Sequence, residues 1–309
     1  MNWKTKARIQ KIFSTIPWGE RLNYFAQRYV LKNLPVKNNL FIEKVREADR
    51  HFSSFRKFNR TVTRIENVTA YEFGAGWDLI IPLAYYFFGI KQQRIIDLNP
   101  LLKFSLVDDS IKRFDQLKNN FGELESEVVD AKNDLRISNP DQLLLKLGIE
   151  YSAPADACKT SIISNSIDFV SSTNTIEHIP QESILLILKE CYRIMKAGGI
   201  MSCRIDYQDH YAYVDSNISL YNFLKFSDQE WKPLNPGLQF QNRLRHKDYL
   251  SIISKTEFEM VEVRHYAPLE SDLKTIAEIK LDEKFKSGYS DSEIAIRWAY
   301  FVLRKPSRS

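Results

Sequence analysis

Two groups of residues in this 309-residue chain have side chains whose types and spacing suit chemistry. In the first, Glu72 stands just ahead of Gly74 and Gly76, and Asp97 follows roughly 20 residues later. Glycine lacks a Cβ, so the backbone can turn sharply there and a ligand can come close to it. A carboxylate at the Asp97 position can accept hydrogen bonds from both hydroxyls of a ribose. A dinucleotide fingerprint would need a third glycine where Leu79 stands, and Asp78 would repel a pyrophosphate at a helix N-terminus. Glu72 and Asp78 suit a cationic or amine-bearing ligand instead. The second group, Asp206, Tyr207, Gln208, Asp209, His210, Tyr211 and Tyr213, is the densest polar and aromatic cluster in the sequence. Asp, His and Tyr together can orient and deprotonate a hydroxyl or amine, so Asp206, Asp209 and His210 are the catalytic candidates. Their spacing matches no metal motif, and contact with a substrate is expected rather than a metal.

The elements that must position these groups can be read from pattern. A short apolar strand over 68–73, a glycine turn, an apolar helix and a second strand over 94–96 make the first half of a nucleotide-binding α/β unit. Residues 99–146 interrupt it as a helical insertion, with a helical patch at 110–121 and a loop near 137–140. A third strand is predicted at 147–151 and a fourth at 169–172. An amphipathic helix follows, carrying Ile184, Ile187, Leu188, Cys191, Tyr192 and Met195, with Gly198-Gly199 as its left-handed cap. The fifth strand, 200–205, places the Asp206 cluster at a strand's carboxyl end, where open α/β sheets hold their ligands. Residues 216–240 read as an aromatic loop forming a lid or pocket wall. Arg243 and Arg245 beyond it suit either an anionic acceptor or exposed surface. A helix runs to 255, strands are predicted at 258–266 and 294–303, and the tail, 305–309, is predicted to be disordered.

Several of these motifs resemble one family. Glu72-Phe73-Gly74-Ala75-Gly76 is similar to motif I of the class I S-adenosylmethionine-dependent methyltransferases, and Asp97 to their ribose-binding acid. Asp168-Phe169-Val170 with Glu177-His178-Ile179-Pro180 resembles their fourth-strand motif, and 188–199 their entry into the fifth strand. The resemblance covers 68–201, with a looser tail. It implies a Rossmann-like α/β fold: a seven-stranded, mostly parallel sheet with the last strand antiparallel and helices on both faces. It implies S-adenosylmethionine as cofactor, held by Glu72, Phe73, Gly74, Gly76, Asp97, Leu98, Asp156, Ala157, Thr173 and Asn174. Within that set Glu72 meets the amino group and Asp97 the ribose. Asp156 meets the adenine amino group or simply forms a turn. His210 is the first candidate for a base, and His178 is expected to make a structural hydrogen bond at the helix entrance.

On the same footing, 1–67 would form a helical cap and 68–309 the catalytic domain, with 206–245 on the acceptor side. That region resembles methyltransferases of bacterial cell-surface saccharide clusters, which implies a sugar or other small-molecule acceptor. Two other readings stay open: an RNA or other nucleic-acid methyltransferase, and a methyltransferase-like protein that binds without catalysis. Ser172-Thr173-Asn174-Thr175 stands where a base-flipping enzyme would carry Asn-Pro-Pro-Tyr.

Composition sets outer bounds. The chain has 44% hydrophobic and 27% charged residues, ordinary for a folded soluble protein. No apolar run is long enough to span a bilayer, and the N-terminus has no secretory-signal pattern. Cys158, Cys191 and Cys203 lack paired spacing, which fits a reducing, cytoplasmic setting. The net charge of +5 is uneven, since 1–66 hold 15 Lys and Arg against 5 Asp and Glu. Such a leader suits a nucleic acid, an anionic surface or merely a solvated helical face. Within it, Ile9, Ile12 and Phe13, and then Leu22, Phe25, Tyr29 and Val30, are spaced to share helix faces.

Overall fold

The computed structural model describes residues 2–117, 124 and 140–307. Its strands are β1 (Thr69–Phe73), β2 (Gln92–Ile96), β3 (Ile149–Ser152), β4 (Ile167–Thr173), β5 (Met195–Asp206), β6 (Glu259–His265) and β7 (Trp298–Arg304). They form one seven-stranded sheet in the order β3-β2-β1-β4-β5-β7-β6. β7 runs antiparallel to both neighbours, and the remaining pairs are parallel. The order reverses between β1 and β4, so the carboxyl ends of these two strands flank the switch point where such sheets bind ligands.

The helices up to the centre of the sheet are α1 (Trp3–Thr15), α2 (Gly19–Phe25), α3 (Asn38–Phe58), α4 (Ile80–Phe87), α5 (Phe104–Leu117), α6 (Pro140–Lys146) and α7 (Gln181–Ile194). Five more follow: α8 (Asp228–Trp231), α9 (His246–Ile253), α10 (Glu270–Glu278), α11 (Glu283–Gly288) and α12 (Asp291–Ala295). Every residue of α4 is buried, because α3 closes over it with Phe41, Val45, Phe52 and Phe55. The other sheet face is covered by α7 and α9. Asp168 in β4 ties its two neighbouring strands together: one carboxylate oxygen accepts from the Thr69 amide of β1 at 3.0 Å and from Lys196 Nζ of β5 at 2.7 Å.

The structure departs from the sequence reading in several places. Gly198-Gly199 do not cap α7, which ends at Ile194, because Met195 already pairs with Ile167. The ladder then jumps to Phe169 with Ile200, and the glycines occupy that irregularity inside β5. β7 begins at Trp298 because Ile294 belongs to α12. Of the 110–121 patch, α5 ends at Leu117 and the rest lies outside the described residues; so does 137–139, while Pro140 opens α6. Lys305 is held in place rather than disordered, with Nζ 2.8 Å from Asn165 Oδ1 and from the carbonyls of Tyr192 and Met195.

Residues 216–240 are also not a loose loop. Tyr221, Phe223 and Trp231 are buried with Trp3, Ala7, Phe285, Ile294 and Ala295 in a third apolar core. This core decides how α1 sits. The Trp3 ring lies 5.5 Å from Tyr211 and 5.7 Å from Phe226, and burying an indole outweighs burying an aliphatic stripe. α1 therefore buries Trp3, Ala7 and Gln10, leaving Ile9, Ile12 and Ile16 at 40, 61 and 39% exposure. Leu22, Phe25, Tyr29 and Val30 are exposed as well. The expected apolar faces exist, but they point to solvent.

Candidate functional site

Parallel register brings the first group together. Phe73 pairs with Ile96, so Glu72 near the end of β1 and Asp97 just past β2 reach the same edge of the sheet. Both carboxyls are 4% exposed, yet Glu72 Oε2 and Asp97 Oδ2 have no hydrogen-bond partner. Burial first, and then neighbouring Asp97, push the Glu72 carboxyl up to about 8, with Lys44 and Ser171 pulling back. Burial likewise raises Asp97 to about 6, against hydrogen bonds from Tyr151 and the amides of Gly76 and Ala75. The site is therefore short of positive charge. Gly74 has φ +79°, and a Cβ there would lie 2.3 Å from Thr175 Cγ2. Gly76 has φ +74° and would meet nothing within 4 Å, so space is open in front of the turn. Two acids with one unpartnered oxygen each, a glycine turn and open space fit the amino and ribose groups of S-adenosylmethionine.

The other expected cofactor contacts divide. Phe73 is buried beside Tyr71, with ring centroids 6.1 Å apart. Leu98 is 70% exposed just past Asp97. Asp156 Oδ1 accepts the Cys158 amide at 2.8 Å, which is the turn-forming role. The residue also borders a cleft of about 590 Å³ with Ser152 and Ala155, while Ala157 packs against the α7 side of the core. Thr173 Oγ1 meets His51 Nε2 at 3.1 Å, and Asn174, at φ +50°, accepts from Arg204 Nη1 at 2.5 Å.

Sequence reasoning missed what α3 contributes. Lys44 Nζ lies 2.9 Å from Asp78 Oδ2, so Asp78 is already neutralised and is not free for a cationic ligand, contrary to expectation. One face of the same helix carries Glu47, 3.5 Å from Arg204, and His51, 2.7 Å from Ser202 Oγ. Burial and then Arg204 lower His51 to about 3, so it stays neutral beneath Thr173. The only sequence signal was the helical spacing of 44, 47 and 51. Glu20, Asn23, Leu34, Val36 and Lys44 line a second cleft, of about 310 Å³, with Gly76 and Asp78. Tyr24 packs edge-on against Trp77 at 5.6 Å, which fastens α2 over the glycine turn.

At the carboxyl end of β5, Asp206 Oδ1 accepts from the Gln208 amide at 3.0 Å, and Oδ2 accepts from the Tyr213 hydroxyl. His210 Nε2 lies 3.4 Å from Asp206 Oδ2. Burial works to raise the Asp206 carboxyl, but His210, Tyr213 and Gln208 together hold it near 2. The His210 ring sits between His178, at 4.9 Å, and Tyr213, at 5.2 Å. His178 Nδ1 donates to the Phe240 carbonyl at 2.6 Å, the expected structural bond. Glu177, 1% exposed, leaves both carboxylate oxygens without a partner. Burial and then Asp206 raise its carboxyl well above the usual range.

Three expectations fail here. Asp209 is fully buried, bonded to Asn222 Nδ2 at 3.1 Å and to the Tyr211 amide at 2.8 Å; it holds the loop instead of facing a substrate. Arg243 bonds the carbonyls of Phe223 and Phe226 and the Asp228 carboxylate. Arg245 is wholly buried on the carbonyls of Tyr207, Ile294 and Ile296. Neither arginine is placed to receive an anionic acceptor, since Arg243 is held by two carbonyls and Asp228, and Arg245 is 0% exposed.

Residues 130–203 match the family model of the methyltransferase domain. The matched stretch, a methyltransferase domain by that model, is about a quarter of the chain. The chain has the seven-stranded, mostly parallel sheet with antiparallel β7 expected of a Rossmann-like fold. Among solved structures it is similar to Haemonchus contortus phosphoethanolamine N-methyltransferase 2, bound to phosphomonomethylethanolamine and S-adenosylhomocysteine. The two share 16% identity over 84% of this chain and 53% of the other, with a TM-score of 0.45. The chain thus spans about half the length of that protein. A methyltransferase from Methanosarcina mazei is 14% identical over 82% and 97% of the two chains, TM-score 0.43. The [4+2]-cyclase SpnF is 12% identical over 84% and 81%, TM-score 0.46. What those proteins act on does not pass to this chain at such likeness. No curated protein matches it.

Proposed function

We propose that this protein is a methyltransferase that moves a methyl group from S-adenosylmethionine to a hydroxyl of a saccharide-like small molecule. The observation that carries the cofactor half is the pair of buried, unpartnered oxygens of Glu72 and Asp97 on either side of an open glycine turn. The cofactor supplies an electrophilic methyl on a sulfonium whose leaving group is a neutral thioether. This chain's residues have to bind, orient and exclude water. Glu72 takes the amino group, Asp97 the ribose hydroxyls, and Asp156 the adenine side. Residues 1–67 cover the cleft through α2 and α3, and 206–245 form the acceptor wall.

On that wall, Asp206 orients His210, which takes the acceptor proton. Tyr213, 57% exposed and stacked on His210, offers a ring face to the C–H face of a sugar. Free Cys158, Cys191 and Cys203 fit a cytoplasmic setting. No described helix is long and apolar enough to cross a membrane.

Calorimetric titration with S-adenosylmethionine tests the cofactor half. Asp97→Ala is expected to weaken binding about 10- to 100-fold, the loss of one or two charge-assisted hydrogen bonds. Because the Glu72 and Asp97 carboxyls are raised to about 8 and about 6, their anionic forms grow as pH rises. Wild-type affinity for the cationic amine should therefore strengthen between pH 6 and 8. Binding of NAD in place of S-adenosylmethionine would refute the assignment.

A second contact is proposed for the leader. Residues 2–37 hold eight Lys and Arg against one acid, Glu20, and expose Ile9, Ile12, Trp18, Phe25 and Val30. Cations flanking an outward apolar stripe complement an anionic lipid surface. Sedimentation with phosphatidylserine-containing vesicles should carry the protein down, and Ile12→Asp should release it. Binding to RNA but not to vesicles would overturn this and favour a nucleic-acid partner.

A further inference from the structure

We propose that Glu177, His178 and His210 form a binding site for a divalent transition-metal ion on the acceptor side of the cleft. The inference rests on the methyltransferase reading only for what the site would serve; the binding itself does not depend on it.

The sequence scatters these ligands, with His210 more than thirty residues from the Glu177-His178 pair, so no spacing motif exists to find. The fold joins them. β4 and β5 are parallel neighbours, and the chain leaves each through a short turn at the same edge. Glu177-His178 lie in the turn Ile176–His178 after β4, and His210 lies just past β5. One ligand atom from each of the three residues falls within 4.8 Å of the other two. Slight closure brings such atoms to the roughly 2.1 Å at which these metals bind nitrogen and oxygen.

The chemistry of each group agrees. Both Glu177 oxygens are buried without a hydrogen-bond partner, and so is His210 Nε2. Leaving a buried carboxylate unpaired is costly unless it is protonated or meets a cation. His178 has its Nδ1 hydrogen committed to the Phe240 carbonyl at 2.6 Å, which fixes the tautomer and leaves the Nε2 lone pair free. An outer hydrogen bond of that kind is how metal-binding histidines are oriented. Tyr213 stacks on the His210 ring and holds it from the other side. Asp206, 3.4 Å from His210 Nε2, adds negative charge next to the trio.

Two imidazoles and one carboxylate select a borderline ion such as Zn²⁺, Fe²⁺ or Co²⁺ over Mg²⁺ or Ca²⁺, which take oxygen ligands. Three protein ligands leave coordination positions open. These would fix an oxygen-bearing acceptor; with the ion bound His210 would be a ligand and positioning residue, and the proton-transfer role proposed for it is that of the metal-free protein.

The test uses the full-length protein, stripped with chelator and titrated with Co²⁺, whose visible absorption reports imidazole coordination. One equivalent should bind with micromolar affinity and be displaced by Zn²⁺. Glu177→Gln, which keeps the shape of the protonated acid and so the fold, should weaken Co²⁺ binding about 100-fold or more, as should His178→Ala. Cofactor titration of the same samples should be unchanged in Glu177→Gln. No stoichiometric uptake by a wild-type protein that binds S-adenosylmethionine would overturn the metal site and leave the methyltransferase reading standing. Uptake that survives both substitutions would place the ion at His51, His246 or His265 and overturn it equally. Co²⁺ uptake lost in both variants, with no S-adenosylmethionine binding even in the wild type, would support the site and sink the function assigned to it.

Discussion

Replacing His210 with alanine should lower methyl transfer to saccharide acceptors about 10²- to 10⁴-fold, the usual worth of a positioned proton-transfer group. Cofactor affinity should hardly change. His210 meets Asp206, His178 and Tyr213, whereas Glu72 and Asp97, the proposed cofactor contacts, lie on β1 and just past β2. The link between the two halves is Thr175, whose Oγ1 lies 3.4 Å from the Gly74 carbonyl and whose methyl fills the space a Gly74 Cβ would need. Labelled-methyl transfer and calorimetry on one preparation separate the effects. Asp206→Asn should also lose activity, because asparagine has one acceptor oxygen: if that stays on Gln208, an amide donor replaces the oxygen that meets Tyr213 and His210 Nε2. Equal cofactor binding with unreduced transfer in His210→Ala would remove the residue from the reaction.

How much of this was legible beforehand follows physical lines. The glycine turn and the acids at strand ends were readable because they depend on local backbone geometry. The mostly parallel sheet with an antiparallel last strand was implied by the family that these motifs resemble, while the order of its strands was not read. What escaped was set by long-range competition. Trp3 outbids the isoleucines of α1 because partners from 211–231 await it. Nothing near residue 3 announces them. Lys44 reaches Asp78 and His51 reaches Thr173 only because α3 crosses the sheet's edge. Asp209 looked catalytic by type and place, yet Asn222 captures its carboxylate. The two arginines misled for a related reason. A charged residue in a polar stretch reads as a surface group until the fold shows which carbonyls it must satisfy.

Arg245 should accordingly prove among the most destabilising residues to remove. It is 0% exposed, and among the described residues no carboxylate is paired with its guanidinium. Its donors reach the carbonyls of Tyr207, Ile294 and Ile296 at 2.6, 2.5 and 2.6 Å, and its charge centre stands 5.4 Å from the Tyr207 ring centroid. Arg245→Ala orphans three buried acceptors at about 1–3 kcal/mol each and leaves a void besides. A loss of more than about 4 kcal/mol follows, or roughly 10 °C in melting temperature for a chain of this size. Arg245→Lys should recover only part of that, because an ammonium lacks the planar fork that spans several carbonyls. These carbonyls join the end of β5 to the stretch between α12 and β7, so the damage should also reach the loop that carries His210. Differential scanning calorimetry gives the first effect. Transfer rates of the lysine variant, measured well below its melting point, give the second. A lysine variant that melts with the wild type would mean that water or backbone shifts satisfy the carbonyls, and that Arg245 does not fix the acceptor loop.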